Sequence, residues 1–400
     1  MAKLNPNIVL LGIVSFLNDV SSEMIFPILP LFITSVLGAP AAVVGLIEGV
    51  AEATANVLKM FSGWLSDKTG KRKPFVVAGY SLSAITKPFF AIASSWPAVL
   101  AVRFVDRVGK GVRVTARDVI VVQYSTKKNR GYAFGFRKAM DSVGAFVGPL
   151  LAAALLASLF AFTPLNDAYR GVFWLAAIPA FASIVVLYFV REKKEKTRDH
   201  PLRNAVQKMR VDFSLLNSNK AFRANLLIAF LFGLANFSYA FLVLRAQDVI
   251  AAAAFSVLAY AFYNAVYAFA AIPAGRLSDK IGRPKVIALG YALFGVTCLG
   301  FGLASSDALI WVFFGFYGVF MAIFESVQRA FVSELVKPGM RGTALGTYQF
   351  AVGVSALPAS IIAGILWDFK IGAVHATFFY GAVLAFSAAV LALKFLDHKK

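Results

Sequence analysis

The residues that first invite a chemical reading are charges placed where charges are costly. Between Pro97 and Tyr124 an otherwise apolar stretch carries Arg103, Asp106, Arg107, Lys110, Arg113 and Arg117. At about 100° per residue these six fall within an arc of roughly 120°, so one helix face is a cationic ladder holding a single acid. Acids that can answer it lie elsewhere. Asn18, Asp19, Ser22 and Glu23 form one stripe, Glu48, Glu52, Asn56 and Lys59 a second, and Asp141 stands alone in a third apolar run. The later part of the chain has only Glu325, Gln328 and Arg329 as its main buried polar set. Groups of this kind can hold an ionic solute, exchange a proton, or pair permanently with one another. An arginine stays charged throughout, so any proton switch must sit on a carboxylate.

Other chemistry finds no support. The single cysteine, Cys298, allows neither an internal disulfide nor a thiolate metal cluster. His200 and His398 fall in polar connectors and His375 lies near a helix end, so no metal site is expected and no cofactor either. The segment VGKGVR at 108–113 lacks the spacing of a phosphate loop, and there is no G-x-S-x-G elbow or H-E-x-x-H pair. A membrane-embedded enzyme or receptor, the alternative of another class, thus rests on no motif.

The elements that must position these charges follow from composition. The chain has 400 residues, 59% hydrophobic and 15% charged, whereas soluble domains carry about 25% charged residues. A membrane span needs roughly 20 apolar residues, and the chain supplies twelve such stretches, at about 8–36, 41–66, 74–94, 97–124, 131–160, 170–190, 222–245, 252–277, 284–304, 308–333, 342–366 and 373–395. The N-terminal run is long enough to span and is read as the first helix, not as a cleaved leader. The expected fold is an all-α polytopic membrane protein of twelve transmembrane helices. Of the 40 basic residues, most sit in alternate breaks, while the other breaks hold Arg170, Arg245 and Lys370. Positive loops stay cytoplasmic, so both termini are expected inside and the net charge of +20 is a topology signal, not a nucleic-acid footprint. The one long charged stretch, from Arg191 to Arg223, divides the chain, giving a six-helix bundle at 1–190, a cytoplasmic linker at 191–221 and a second bundle at 222–400. Basic residues of the linker are expected to lie against anionic lipid headgroups.

The two halves repeat. GWLSDKTGKRK at 63–73 is matched by GRLSDKIGRPK at 275–285, and RGYAFG at 130–135 by RGTALG at 341–346, offsets of 212 and 211. Two independent matches at nearly one offset imply a duplicated six-helix unit. These segments resemble the signature of the major facilitator superfamily, carried by Gly63, Asp67, Lys68, Gly70, Lys71 and Arg72 and again by Gly275, Asp279, Lys280, Gly282 and Arg283, with Pro284 the departure in the second copy. Arg103 is the best match to the family's motif in the fourth helix. Gly144, Gly148 and Pro149 are similar to the fifth-helix motif of its exporters, although Ala152 and Ala153 stand where that motif closes on glycine.

The resemblance implies two pseudo-symmetric bundles and an inner gate built from Gly63, Asp67, Arg72 and Asp118, with Gly275, Asp279 and Arg283 as the parallel set. The two signature glycines are expected to let a neighbouring helix approach closely. The expected function is secondary active transport in the cell membrane, the inner one in a Gram-negative source. A monomer would export small organic molecules in exchange for protons by alternating access. Substrate or proton coupling is assigned to Asp19, Glu23, Glu48, Glu52, Arg103, Asp106, Arg107, Asp141, Glu325 and Arg329. The alternative within transport is an organic anion or phosphate ester held by the fourth-helix arginines.

The topology is tested by impermeant maleimide labelling of Ala205→Cys and Lys370→Cys in a Cys298→Ser background. Labelling from outside is expected at 370 and not at 205, and the reverse pattern would invert the orientation.

Overall fold

The computed structural model describes residues 4–69, 71–126, 129–192, 220–336, 340–372 and 374–396; the side chains at 60, 61, 63–65, 67 and 68 are outside that description. Twelve long helical elements run through it: α1 Pro6–Val36, α2 Ala41–Thr69, α3 Lys73–Ile92, α4 Trp96–Tyr124, α5 Arg130–Phe160, α6 Leu165–Tyr188, α7 Lys220–Ile250, α8 Ala253–Ile281, α9 Arg283–Leu303, α10 Asp307–Glu334, α11 Arg341–Trp367 and α12 Ala376–Phe395. Eleven are long and apolar enough to cross a membrane over at least part of their length. The remaining one, α4, is 29 residues long and misses that measure because of its charges. The twelve-helix architecture read from the sequence is therefore the observed one. The expected linker lies outside the described residues from 193 to 219.

Local sequence explains where helices begin and bend. Asn5 caps α1, its side chain accepting the backbone N–H of Asn7 at 2.9 Å. Proline occupies the first turn of α3, α4 and α9, where its missing N–H costs nothing. Pro27 and Pro30 interrupt α1, which is regular to Ile25, re-forms at Leu29–Leu31 and ends in a wide turn at Phe32–Val36. Phe26 directly precedes that break and is still held in the ladder, its N–H donating to the Ser22 carbonyl at 3.0 Å. In α7 the corresponding interruption falls between Ala235 and Ala240.

Contacts sort the chain into two compact units, Met1–Ala39 with Thr54–Val206 and Ala253–Ala261, and Pro40–Ala53 with Gln207–Ala252 and Phe262–Lys400. In the first unit α1 packs on α5 and α6, and α3 on α4 and α6. The second unit repeats the pattern: α7 packs on α11 and α12, and α9 on α10 and α12. Outward faces are apolar, as lipid requires. On α6 Ile178 and Val185 are exposed two turns apart, and on α12 Val383 and Val390 are likewise.

Two arginines tie helix ends. Arg170 of α6 donates to the Ala91 carbonyl at the end of α3 and at 2.7 Å to Asn166. Arg245 of α7 donates to the carbonyls of Phe301, Gly302 and Ala304 at the end of α9, at 3.0, 3.2 and 2.9 Å. Between α11 and α12 a short hairpin pairs Lys370–Ile371 with Val374–His375, and the buried His375 ring stacks on Trp367 at 4.1 Å.

Small residues let α1 and α5 approach closely. A Cβ on Gly144 would lie 2.7 Å from the Phe16 carbonyl oxygen and 3.0 Å from the Asp19 Cβ; on Gly148 it would lie 2.7 Å from the Val20 carbonyl oxygen and 2.9 Å from the Glu23 Cβ. The two glycines are one turn apart, as are the two acids, so α5 presses its bare stripe against the acidic stripe of α1. Replacing either glycine with valine must separate the helices, at a cost of about 1–3 kcal/mol. The purified Gly144→Val and Gly148→Val variants are expected to melt below the parent, and parent-like melting of both would refute this contact.

Candidate functional site

The first unit gathers the fourth-helix ladder around one acid. Asp106 is 2% exposed, and its Oδ1 accepts from the Lys87 ammonium at 3.0 Å and from Thr86 at 3.5 Å. Arg103 Nη1 stands 4.0 Å and Arg107 Nε 3.9 Å from its Oδ2. Lys87, 0% exposed, also donates to Ser22 of α1 at 3.2 Å, so it joins α3 to both α1 and α4. Phe26, just before the proline break, offers its ring to all three cations: Arg103 at 3.9 Å, Arg107 at 4.4 Å and the Lys87 Nζ at 5.3 Å. Such contacts are worth about 2 kcal/mol when desolvated. A glycine pair permits the α3–α4 approach, a Cβ on Gly79 coming within 2.6 Å of the Gly109 carbonyl oxygen.

A second layer begins about two turns along α4 from Asp106. Arg113 donates to Ser83 at 2.6 Å and lies over the Tyr80 ring at 4.6 Å. Arg117 donates from Nη1 to Ser15 of α1 at 2.9 Å and to the Tyr80 hydroxyl at 3.2 Å, and from Nε to Asp118 at 3.4 Å. Asp118 also faces Arg137 of α5 at 3.6 Å, and Arg137 holds Asp141 at 2.8 Å. A chain of alternating charge thus runs from α4 to α5.

The helix 1 acids are met differently. Glu23 accepts from the Tyr260 phenol of α8 at 2.9 Å, and Asp19 from the Asn18 amide at 3.3 Å. Both are half-buried, with neutral hydrogen-bonding partners. Glu48 is buried and Glu52 half-buried on the part of α2 that groups with the second unit.

The remaining expectations divide. Glu325 and Arg329 pair with each other at 2.5 Å, but Arg329 is exposed, so these two do not form the buried set expected with Gln328. The spacing explains it: 325 and 329 share a face of α10, and only Gln328, about 100° from Arg329, turns inward to meet Asn225 at 3.2 Å. Among the described residues no atom comes within 4 Å of a Cβ placed on Gly275, so the close helix approach expected there is not seen. Asp279 and Glu334 flank Arg283 at 3.6 and 2.9 Å. The side-chain environments of Gly63 and Asp67 lie outside the described residues. Arg72 is buried, and its backbone N–H, with that of Lys73 at 3.1 Å, donates to the Glu192 carboxylate. No cluster of His, Cys, Asp and Glu able to hold a metal occurs among the described residues.

Sequence reasoning missed Lys87, Phe26, Tyr80, Glu192 and Tyr260. Lys87 had a signal, being the lone charge in the apolar run SLSAITKPFFAI. Tyr260 had none, as one aromatic among many in its helix.

A family model described as Major Facilitator Superfamily matches residues 11–249 and 239–400. An uncharacterized MFS-type transporter of Methanocaldococcus jannaschii is 38% identical over 397 residues, 98% of this chain and 95% of the relative. A probable 4-methylmuconolactone transporter of Cupriavidus pinatubonensis is 26% identical over 376 residues, 92% of this chain and 85% of the relative. Among solved structures, the nucleoside transporter NupG superposes with a TM-score of 0.80 at 14% identity, covering 99% of this chain and 100% of that one.

The Lys87–Asp106 pair generates a stability test. Removing one member of a buried pair costs about 3 kcal/mol, because the other charge is left in an apolar site. Asp106→Asn, which leaves Lys87, Arg103 and Arg107 without their shared acid, is expected to lower the unfolding temperature sharply, and Lys87→Met, which leaves Asp106 its two arginines, to lower it less. A larger loss in Lys87→Met than in Asp106→Asn would show that Asp106 is not the group on which the cluster depends.

Proposed function

Because this chain belongs to the Major Facilitator Superfamily and is a membrane transporter rather than an enzyme, we propose that it exports small organic molecules in exchange for protons by alternating access, with Glu23 and Asp19 as its proton-binding groups. In this reading it works as a monomer in the cell membrane with both termini cytoplasmic, and the duplicated Asp67 and Asp279 segments serve as gates.

The observation that carries the reading is how the first unit treats its acids. Asp106, Asp118 and Asp141 each have a cationic partner at 3.6 Å or less. Protonating any of them would leave a cation unanswered in the membrane, which is costly. Glu23 and Asp19 face a phenol and an amide instead. A phenol can donate to a carboxylate and accept from a carboxylic acid, so Glu23 keeps its hydrogen bond in either protonation state. Half-burial leaves both acids within reach of water. Export is supported by the fifth-helix glycines, which lie against these same two acids.

A second reading, transport of an organic anion, is favoured by the convergence of Lys87, Arg103 and Arg107 on Phe26. The relative named for 4-methylmuconolactone transport makes a small oxygenated organic molecule a sensible first probe.

The test is proton movement in proteoliposomes containing a trapped pH dye, challenged separately with 4-methylmuconolactone, benzoate and ethidium. A probe that moves protons in the parent is expected to lose about tenfold of its pH-driven flux in Glu23→Gln or Asp19→Asn while downhill exchange stays within about twofold. Undiminished pH-driven flux in both variants would return these acids to a structural role.

A further inference from the structure

The two units carry one junction in two chemistries. Helices α4 and α10 begin at Trp96 and Asp307, each directly after a serine, and α5 and α11 at Arg130 and Arg341, so every pair is 211 positions apart. The same offset matches Gly79–Tyr80 to Gly290–Tyr291 and Arg117 to Gln328. Arg117 bonds the Tyr80 hydroxyl of α3 and Ser15 of α1. Gln328 lines one pocket with Tyr291 of α9 and bonds Asn225 of α7 at 3.2 Å. Each junction draws a polar group from the first helix of its half, a tyrosine from the third and a long side chain from the fourth.

In the second unit neutral groups fill this place, joined by the Gln328–Asn225 bond: Asn225 and Gln328 are each 1% exposed and Tyr291 2%. The packing therefore does not require a guanidinium, and a buried guanidinium is costly to dehydrate. What the charge adds is a link not seen among the described residues of the second unit. From Arg117 the ion pairs continue through Asp118 and Arg137 to Asp141, while its bond to Ser15 reaches α1 one turn before Asp19.

We propose that Arg117 is a positioning residue of the coupling apparatus, fastening α1, with Asp19 and Glu23 on it, to the ion-pair chain of α4 and α5. The inference rests on the reading of those two acids as proton-binding groups. The charged and titratable groups in the field of Arg117 are Asp118 and Arg113 on its own helix, Tyr80 on α3, Arg137 and Asp141 on α5, and Asp19 on α1; the α1 acids are also faced by Lys110 and Arg107 of α4 and by Tyr260 of α8. A guanidinium held by three partners keeps a fixed distance to the α1 acids. The amide that the second unit uses at this place would keep the junction and lose the field.

The experiment is a pH titration of the carboxyl C=O infrared band of the purified protein, which needs no substrate. Glu23→Gln and Asp19→Asn identify the part of the band that belongs to the α1 acids. Arg117→Gln is expected to move the midpoint of that part by about one pH unit or more, with an unfolding temperature close to the parent's. Ser15→Ala, which cuts only the tie to α1, is expected to move it less. If Arg117→Gln does not fold, Ser15→Ala decides. A band that depends on the α1 acids but is unmoved in the folded variants overturns this inference alone. A parent band indifferent to Glu23 and Asp19 overturns the coupling reading and this inference together.

Discussion

A charge taken into hydrocarbon has to be answered by another group, and in the first unit Asp106 is where that answer is concentrated. Lys87, Thr86, Arg103 and Arg107 all turn toward it. Without it, α4 would present a run of cations to the interior and the α3–α4 contact at Gly79 and Gly109 would bring them together unopposed. Lys87 extends the constraint to α1 through Ser22. Three helices are thereby held in register by one carboxylate, and Phe26, at the end of the regular part of α1, lies across the cations.

The second unit keeps the helix packing and discards the charge. At the offset that relates the halves, Lys87 is matched by Cys298, Arg103 by Phe314, Asp106 by Tyr317, Arg113 by Phe324 and Ser83 by Phe294. Those aromatic residues form a packed cluster, with Phe294 and Phe320 at 4.8 Å, Tyr317 and Phe320 at 5.8 Å, and Phe320 and Phe324 at 5.6 Å. Even Phe26 has its counterpart, since Phe237 sits in the break of α7 and packs on Phe241, Phe294 and Phe378. One architecture thus supports an ionic interior in one half and an apolar interior in the other. Dispersion and edge-to-face contacts do for the second half what ion pairs do for the first.

Much of this was legible in the sequence because hydrophobic periodicity and duplication are properties of the chain itself. The twelve helices, the repeat and the cationic face of α4 follow from spacing alone. Helix ends were less legible. α6 begins at Leu165 and not near 170, because Pro164 can precede a helix and Leu165–Tyr169 continue it. Partner choice was hidden more deeply, since periodicity gives the arc a side chain occupies and not what the arc faces. It put Glu325, Gln328 and Arg329 in one set, although only Gln328 turns inward. It marked Asp106 as the one acid of the ladder without showing that Lys87 meets it, and it offered no means of joining Tyr260 to Glu23 across more than two hundred residues of chain.

Arg170 and Arg245 have a consequence for the surface of the protein. A helix ends in carbonyls that carry partial negative charge, and a guanidinium set against them cancels the long-range part of that potential. Arg170 does this at Ala91 for α3, and Arg245 at Phe301, Gly302 and Ala304 for α9. Neither helix end is then a beacon for ions of either sign, and neither arginine acts as a free surface cation.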